Sequence, residues 1–208
     1  MKYKNTHPGF TLVELIVSIT IFSIILVAVV SIFLFASQMS TRVELDRTMQ
    51  ENIKNIMEDI SEGVRKNTLT GVSSGLDSKC ETIEPGVGDS IKQASAVCIG
   101  DSIYTLGYEN ETGDGSWERS SDIVKDCQDI SKVCRLVKKE MGGDYFPLSN
   151  SFIAFQDAVF TISNPELPKL TIQLVYRPAA GKGVSAAIIE QGVQSIQTTV
   201  SQKLIKTN

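Results

Sequence analysis

GFTLVELIVSITIF, residues 9–22, decides how the rest of the chain is read. The apolar run it begins continues, so that from Phe10 to Phe35 the only charge is Glu14 and there is neither proline nor glycine. As a helix this run is roughly 39 Å long against a hydrocarbon core of about 30 Å, enough to span a bilayer with some tilt. Lys2 and Lys4 stand before it with no acidic residue beside them. They hold the N-terminus on the cytoplasmic side and send the remainder outward, although Arg42 just past the span weakens the asymmetry.

A secretory signal has a shorter apolar region followed by a small-residue cleavage site, and neither is present here. A plain signal anchor accounts for the lysines and the span, but not for two details. Gly9 stands at the junction between polar leader and apolar helix, and Glu14 places a carboxylate early in the membrane segment. An acid near the middle of such a helix costs roughly 2.5–3.5 kcal/mol, less near its end, and normally marks a functional pairing with a cation. Cleavage between Gly9 and Phe10 would supply one, the new α-amino group of Phe10 on the same or a neighbouring subunit.

The string from Gly9 to Phe22 closely resembles the processing signature of type IV prepilins and of the pseudopilins of type II secretion. The resemblance implies that Gly9 precedes the cut, that Phe10 becomes the N-methylated N-terminus, and that Glu14 is the acid five residues into the mature chain. It also implies that an aspartyl membrane peptidase both cuts and methylates. Many major pilins carry a proline near the middle of this helix, whereas here none follows Pro8 until Pro85. Any loosening there would have to come from Ser31 or from local packing.

The remaining composition narrows the function. The chain has 208 residues, is 42% hydrophobic, and carries a net charge of -4 with pI near 5.1, so as a whole it offers no cationic surface to nucleic acid. Its one histidine, His7, lies in the leader, so the mature chain loses the commonest general base and zinc ligand. No nucleophile motif such as G-x-S-x-G occurs. The expectation is a structural subunit without a cofactor and not an enzyme.

Past Phe35 the sequence turns polar, yet Leu45, Met49, Ile53, Ile56, Ile60 and Val64 keep a helical stripe. One helix from Phe10 to about Lys66 is therefore expected, greasy all round in residues 10–35 and amphipathic in 36–66, with residues 67–208 as the head. Asn67 to Asp89, rich in Gly, Ser, Thr and Asp, reads as an irregular connection. Strands are expected at Ala94–Ile99 and Ile103–Tyr108 around a Gly100-Asp101 turn, and at Phe152–Ile162 and Lys169–Arg177 around Asn164–Pro168. A last strand, Val193–Val200, closes the sheet. The expected fold is α+β and pilin-like, a long N-terminal helix on a C-terminal antiparallel sheet.

Cys80, Cys98, Cys127 and Cys134 all fall in the part that topology places outside the membrane, where disulfides persist. Three connectivities are possible, and nearest-neighbour pairing, Cys80 with Cys98 and Cys127 with Cys134, is the simplest. Their spacing contains no CxxC pair, against a zinc site. Asn110, Glu111 and Asp114 in the loop 109–116 resemble the oxygen ligands with which some pseudopilins hold calcium, but a solvated turn is preferred because the terminal glutamate of an EF-hand loop is missing. Asn110-Glu111-Thr112 is also a glycosylation sequon, a pattern too short to carry weight. Lys125, Lys132, Arg135, Lys138 and Lys139 are interleaved with acids and read as a solvated surface without interleaved aromatics, since Trp117 and Tyr145 lie outside the cluster in sequence.

The resemblance implies other pilin or pseudopilin subunits, a prepilin peptidase, an inner-membrane assembly platform and the membrane as partners. It implies a single-pass inner-membrane precursor that ends in a pilus or pseudopilus. The alternative is a membrane-anchored adhesin or DNA-binding tip module whose function lies in the head.

Overall fold

The structure, a computed structural model, describes residues 11–73, 80–82, 92–109, 117–118, 123–129, 132–140, 142–163, 168–180 and 186–202. The chain falls into two compact units, Met1–Glu44 and Leu45–Asn208.

Helix α1 runs unbroken from Leu12 to Lys66. In its first unit the apolar side chains are exposed on every side, Leu12, Phe22 and Phe33 among them. Its hydroxyls are satisfied inside the helix: Ser18 donates to Glu14 O at 2.7 Å, Ser23 to Ile19 O at 2.8 Å and Ser31 to Val27 O at 2.8 Å. Ser31 therefore sits in regular helix. The start of α1 is held by Thr11, described below. Its end is favoured by Arg65 and Lys66 in the last turn and closed by Asn67, whose backbone N–H and side-chain amide both donate to Gly63 O.

In the second unit the stripe expected from the sequence is the buried one: Met49, Ile53, Ile56, Ile60 and Val64 are each at most 2% exposed. They belong to one core with residues of two antiparallel sheets, where the sequence suggested a single sheet. The first sheet contains β1 (Leu69–Ser73), β2 (Glu81–Thr82), β4 (Ala96–Ile99), β5 (Ser102–Glu109), β6 (Trp117–Glu118), β7 (Cys134–Glu140) and β8 (Tyr145–Pro147). Its order is β2-β1-β4-β5-β7-β8, with β6 also on β5. The second sheet is β11-β10-β9-β3, built from β3 (Lys92–Ala94), β9 (Ile153–Ser163), β10 (Lys169–Pro178) and β11 (Gln194–Ser201). Short helices α2 (Ile123–Gln128) and α3 (Ala186–Gln191) complete the described elements.

The expected hairpins are present. β4 and β5 pair Ile99 with Ser102 around Gly100-Asp101, and Gly100 takes the left-handed φ of 58° that such a turn asks of its residue. In β10 Leu170, Ile172, Leu174 and Tyr176 point into the core while Lys169 and Gln173 face out. The α+β, pilin-like expectation therefore agrees with a long N-terminal helix followed by antiparallel sheets.

Two expectations are corrected. The connection 67–89 contains β1, whose Leu69 and Val72 enter the core and whose pairing with β4 is interrupted by a bulge between Leu69 and Gly71. The basic cluster, taken as solvated surface, includes the interior strand β7, with Leu136 and Val137 fully buried. Charged residues suit this strand because lysine and arginine bury their stems while their heads reach out, and Arg135, Lys138 and Lys139 are only partly buried. Gly107 on β5 makes the covering of this region possible: a Cβ there would lie 3.0 Å from Val137 Cγ2 and 3.1 Å from the Glu118 carbonyl oxygen.

Disulfides join Cys80 to Cys98 and Cys127 to Cys134. The second ties α2 to β7 inside the main core, both sulfurs being fully buried. Within its ring Asp129 O accepts a hydrogen bond at 3.2 Å from the buried Arg177 guanidinium, which clasps the loop to β10. Burial holds Arg177 below the usual arginine range, with Asp129 opposing. Replacing Cys127 and Cys134 together by alanine is expected to remove about 2–3 kcal/mol of stability, the loop-closure value for a ring this short. Chemical unfolding of the full chain in detergent, followed by the emission of Trp117, measures it. An unchanged midpoint would count against this bond as a structural staple.

Candidate functional site

Thr11 stands just outside α1 as its N-cap, and Glu14 is the third helical residue. The Thr11 backbone N–H donates to Glu14 Oε2 at 3.0 Å, and the Thr11 hydroxyl donates to the same oxygen at 3.0 Å. The Glu14 N–H also approaches Thr11 Oγ1, at 3.3 Å. This is a capping box: the helix begins with four backbone N–H groups lacking intrahelical partners, and a threonine and a glutamate three residues apart provide for two of the donors there. The macrodipole adds a further small preference for an anion in the first turn.

The sequence carried this signal, since Thr11-Leu12-Val13-Glu14 has the S/T-x-x-E spacing, but the reading of Glu14 centred on an amine alone. The structure gives the carboxylate partners inside its own chain. Its cost in apolar surroundings is thereby partly offset before any other group approaches. Side chains on a helix lean toward its N-terminus, so the carboxylate is carried back to Thr11 at the helix start. Gly9 and Phe10 themselves lie outside the described residues.

Residues 4–30 match the family described as the prokaryotic N-terminal methylation motif. This chain carries the N-terminal motif of type IV pilins and pseudopilins. No curated protein and no solved structure matches it. The match covers Gly9, Phe10 and the first part of α1, and a motif of the pilin type points to a structural subunit. Among the described residues α1 is the one helix long and apolar enough to cross a membrane, consistent with the membrane anchoring of a pilin precursor.

The other candidates lie in the head. Asn110, Glu111 and Asp114 fall outside the described residues, and among those described no group of three acidic, histidine or cysteine side chains is placed to hold a metal. The basic cluster needs a correction. Tyr104 and Tyr108 of β5, Trp117 of β6, and Tyr145 and Phe146 of β8 are brought beside it by strand pairing, so aromatics do interleave with it in space.

Lys132 lies 5.3 Å from the Tyr108 ring centre, Arg135 5.0 Å from Trp117, Lys138 5.7 Å from Tyr104 and Lys139 4.9 Å from Tyr145. Each such pair contributes about 0.5–1 kcal/mol at an exposed site. Carboxylates share the same cations: Lys132 bonds Asp126 at 2.9 Å, which raises its pKa, and Lys138 lies 3.7 Å from Glu140. Burial lowers the pKa of Arg135 while Glu109 opposes the shift. Carboxylates offset the charge of Lys132 and Lys138, while the rings hold the side chains in place without neutralising them. The arrangement fits a surface clasp over β7.

Proposed function

We propose that this chain is the precursor of a fibre subunit, a minor pilin or pseudopilin, assembled through α1 after removal of residues 1–9. A prepilin peptidase cuts between Gly9 and Phe10 and methylates the new amine. The apolar face that lipid solvates before assembly is reburied against neighbouring helices afterwards. Other pilin subunits and the inner-membrane assembly platform are its partners. The N-terminus starts on the cytoplasmic side with the head outside, a compartment suited to the two disulfides.

One observation carries the reading: a lone carboxylate, Glu14, at the start of an exposed apolar helix and directly behind the Gly9–Phe10 junction. The capping box holds it near the chain start, and the Phe10 amine of an adjacent subunit supplies the full countercharge in the fibre. A buried acid that finds only one correctly placed amine sets the register of packing and rejects misaligned neighbours.

Mass spectrometry of the protein recovered from its host is expected to give a chain starting at N-methylated Phe10. The Gly9→Val precursor is expected to keep its leader, because a side chain at the cut blocks close approach of the peptidase. Wild-type chain recovered with Met1–Gly9 attached would make it a plain membrane anchor.

A further inference from the structure

Of the strands at the ends of the two sheets, β2 has two residues and β8 and β3 have three each. The fourth end is β11, eight residues long. Folded proteins protect such an edge with lysine, proline, a bulge or brevity. β11 has none of these: Gln-Ser-Ile-Gln-Thr-Thr-Val-Ser carries no charge and no proline, and its register against β10 runs from Gln194 with Tyr176 to Ser201 with Lys169 without a shift.

Two bonds at the margins of β10 fix the phase of its ladder. The Gln202 N–H donates to Pro168 O at 3.0 Å, and at the other end the Ala179 N–H donates to Phe152 O on the β9 side at 2.8 Å. Bonded and non-bonded residue pairs alternate along an antiparallel pair. Gln194, Ile196, Thr198 and Val200 therefore bond to β10, whereas Ser195, Gln197, Thr199 and Ser201 turn N–H and C=O away from it. Among the described residues these outward groups meet no backbone partner. Both ends of the row are pinned: Gln194 accepts from the Tyr176 hydroxyl and donates to Asp46, and Gln202 Oε1 accepts from the Leu69 N–H. An edge held straight in this way has little ordering left to lose on pairing.

Space lies beside the same strand. The flank of α1, β10 and the inward side of β11 enclose a groove of about 890 Å³, floored by Ile53, Met57, Tyr176 and Ile196. Its rim carries both signs of charge, Lys54 and Arg65 against Glu58 and Glu62, and so favours neither. A strand laid along β11 turns every second side chain toward that groove.

We infer that β11 takes up a further strand, an extended and uncharged segment of another polypeptide with apolar side chains two residues apart. The match is chemical: a straight row of alternating donors and acceptors is satisfied by another extended backbone, and the apolar floor accepts the side chains of one face. Strand addition of this kind draws affinity from the main chain and specificity from the pockets for alternate side chains. A second β11 is the wrong occupant. Two such edges joined with both grooves on one face turn one copy round against the other, which copies anchored by their N-terminal helices in one membrane do not permit. To that extent the choice of occupant rests on the fibre-subunit reading.

The probe is a capped heptapeptide, Thr-Val-Thr-Val-Thr-Val-Thr, added to the full chain in nanodiscs, and hydrogen exchange of single amides is the readout. Without peptide, Ile196, Thr198 and Val200 are expected to exchange slowly and Ser195, Gln197 and Thr199 fast. Saturating peptide is expected to slow the fast set roughly tenfold or more and leave the slow set unchanged. Gln197→Pro removes one outward N–H and no bond to β10, so it should weaken peptide binding roughly tenfold while the unfolding curve read by Trp117 stays in place. Ser61→Phe, which fills the groove from α1, should also weaken binding while the peptide-free alternation persists. Fast amides that no concentration of peptide slows would overturn strand addition. So would a Gln197→Pro head that unfolds, since that N–H would then be spent inside the sheet. Slowing that appears without peptide and grows with protein concentration would hand the edge to a second copy and overturn the assignment to another polypeptide. A chain recovered with its leader attached would remove the fibre reading and leave the peptide results standing.

Discussion

Glu14→Ala is expected to abolish incorporation into the fibre while leaving membrane insertion intact, and Glu14→Gln is expected to do the same. The second variant separates two roles that the first removes together. Alanine deletes both the carboxylate charge and the capping box with Thr11, whose loss costs about 0.5–2 kcal/mol of helix-start stability. Glutamine retains the box, since its amide oxygen accepts the same Thr11 bonds. What it lacks is the charge that an amine of a neighbouring subunit would neutralise. Incorporation is read by recovering the variants in sheared filaments, and insertion by their resistance to carbonate extraction. If Glu14→Gln assembles like wild type, the cap and not the charge is the reason for the acid, and the proposed pairing with Phe10 falls.

Most of the helix was legible because its two halves obey simple rules. An apolar run without charge, proline or glycine has few options in a bilayer, and the spacing of Met49, Ile53, Ile56, Ile60 and Val64 fixes which face of the later turns is buried. The β9–β10 hairpin and β11 were legible for a similar reason, being alternating strands near proline or polar turns. β1 was not, because Leu-Thr-Gly-Val-Ser has loop composition and becomes a strand only by pairing with β4 across long sequence separation. β7 was hidden by its lysines and arginine. Nor could sequence order reveal that Trp117 would lie over Arg135 or Tyr145 over Lys139, because β6 meets β5 and β8 meets β7 by register and not by adjacency. At the candidate site the Thr11–Glu14 spacing is in the string, but a carboxylate in an apolar span calls for a countercharge as well as for a cap, and only the Thr11 hydrogen bonds show that the cap is made.

Two apolar residues of this chain should respond in opposite ways to the same truncation. Phe160 on β9 is fully buried, opposite Ile172 of β10 on one side and Ala94 of β3 on the other. Phe160→Ala leaves a cavity that close-packed neighbours fill only in part, and is expected to cost about 3–5 kcal/mol of head stability. That is a fifth or more of the roughly 5–15 kcal/mol that a folded domain typically possesses. Ile25 on α1 is 55% exposed and outside the second unit, so Ile25→Ala should leave the unfolding of the head unchanged. Chemical denaturation of both variants in detergent, followed by Trp117 emission, makes the comparison. Equal midpoints for Phe160→Ala and wild type would mean that β9 does not carry the core. A large loss for Ile25→Ala would mean that the apolar half of α1 stabilises the folded head itself, which would remove the reason to regard that surface as reserved for lipid and for neighbouring subunits.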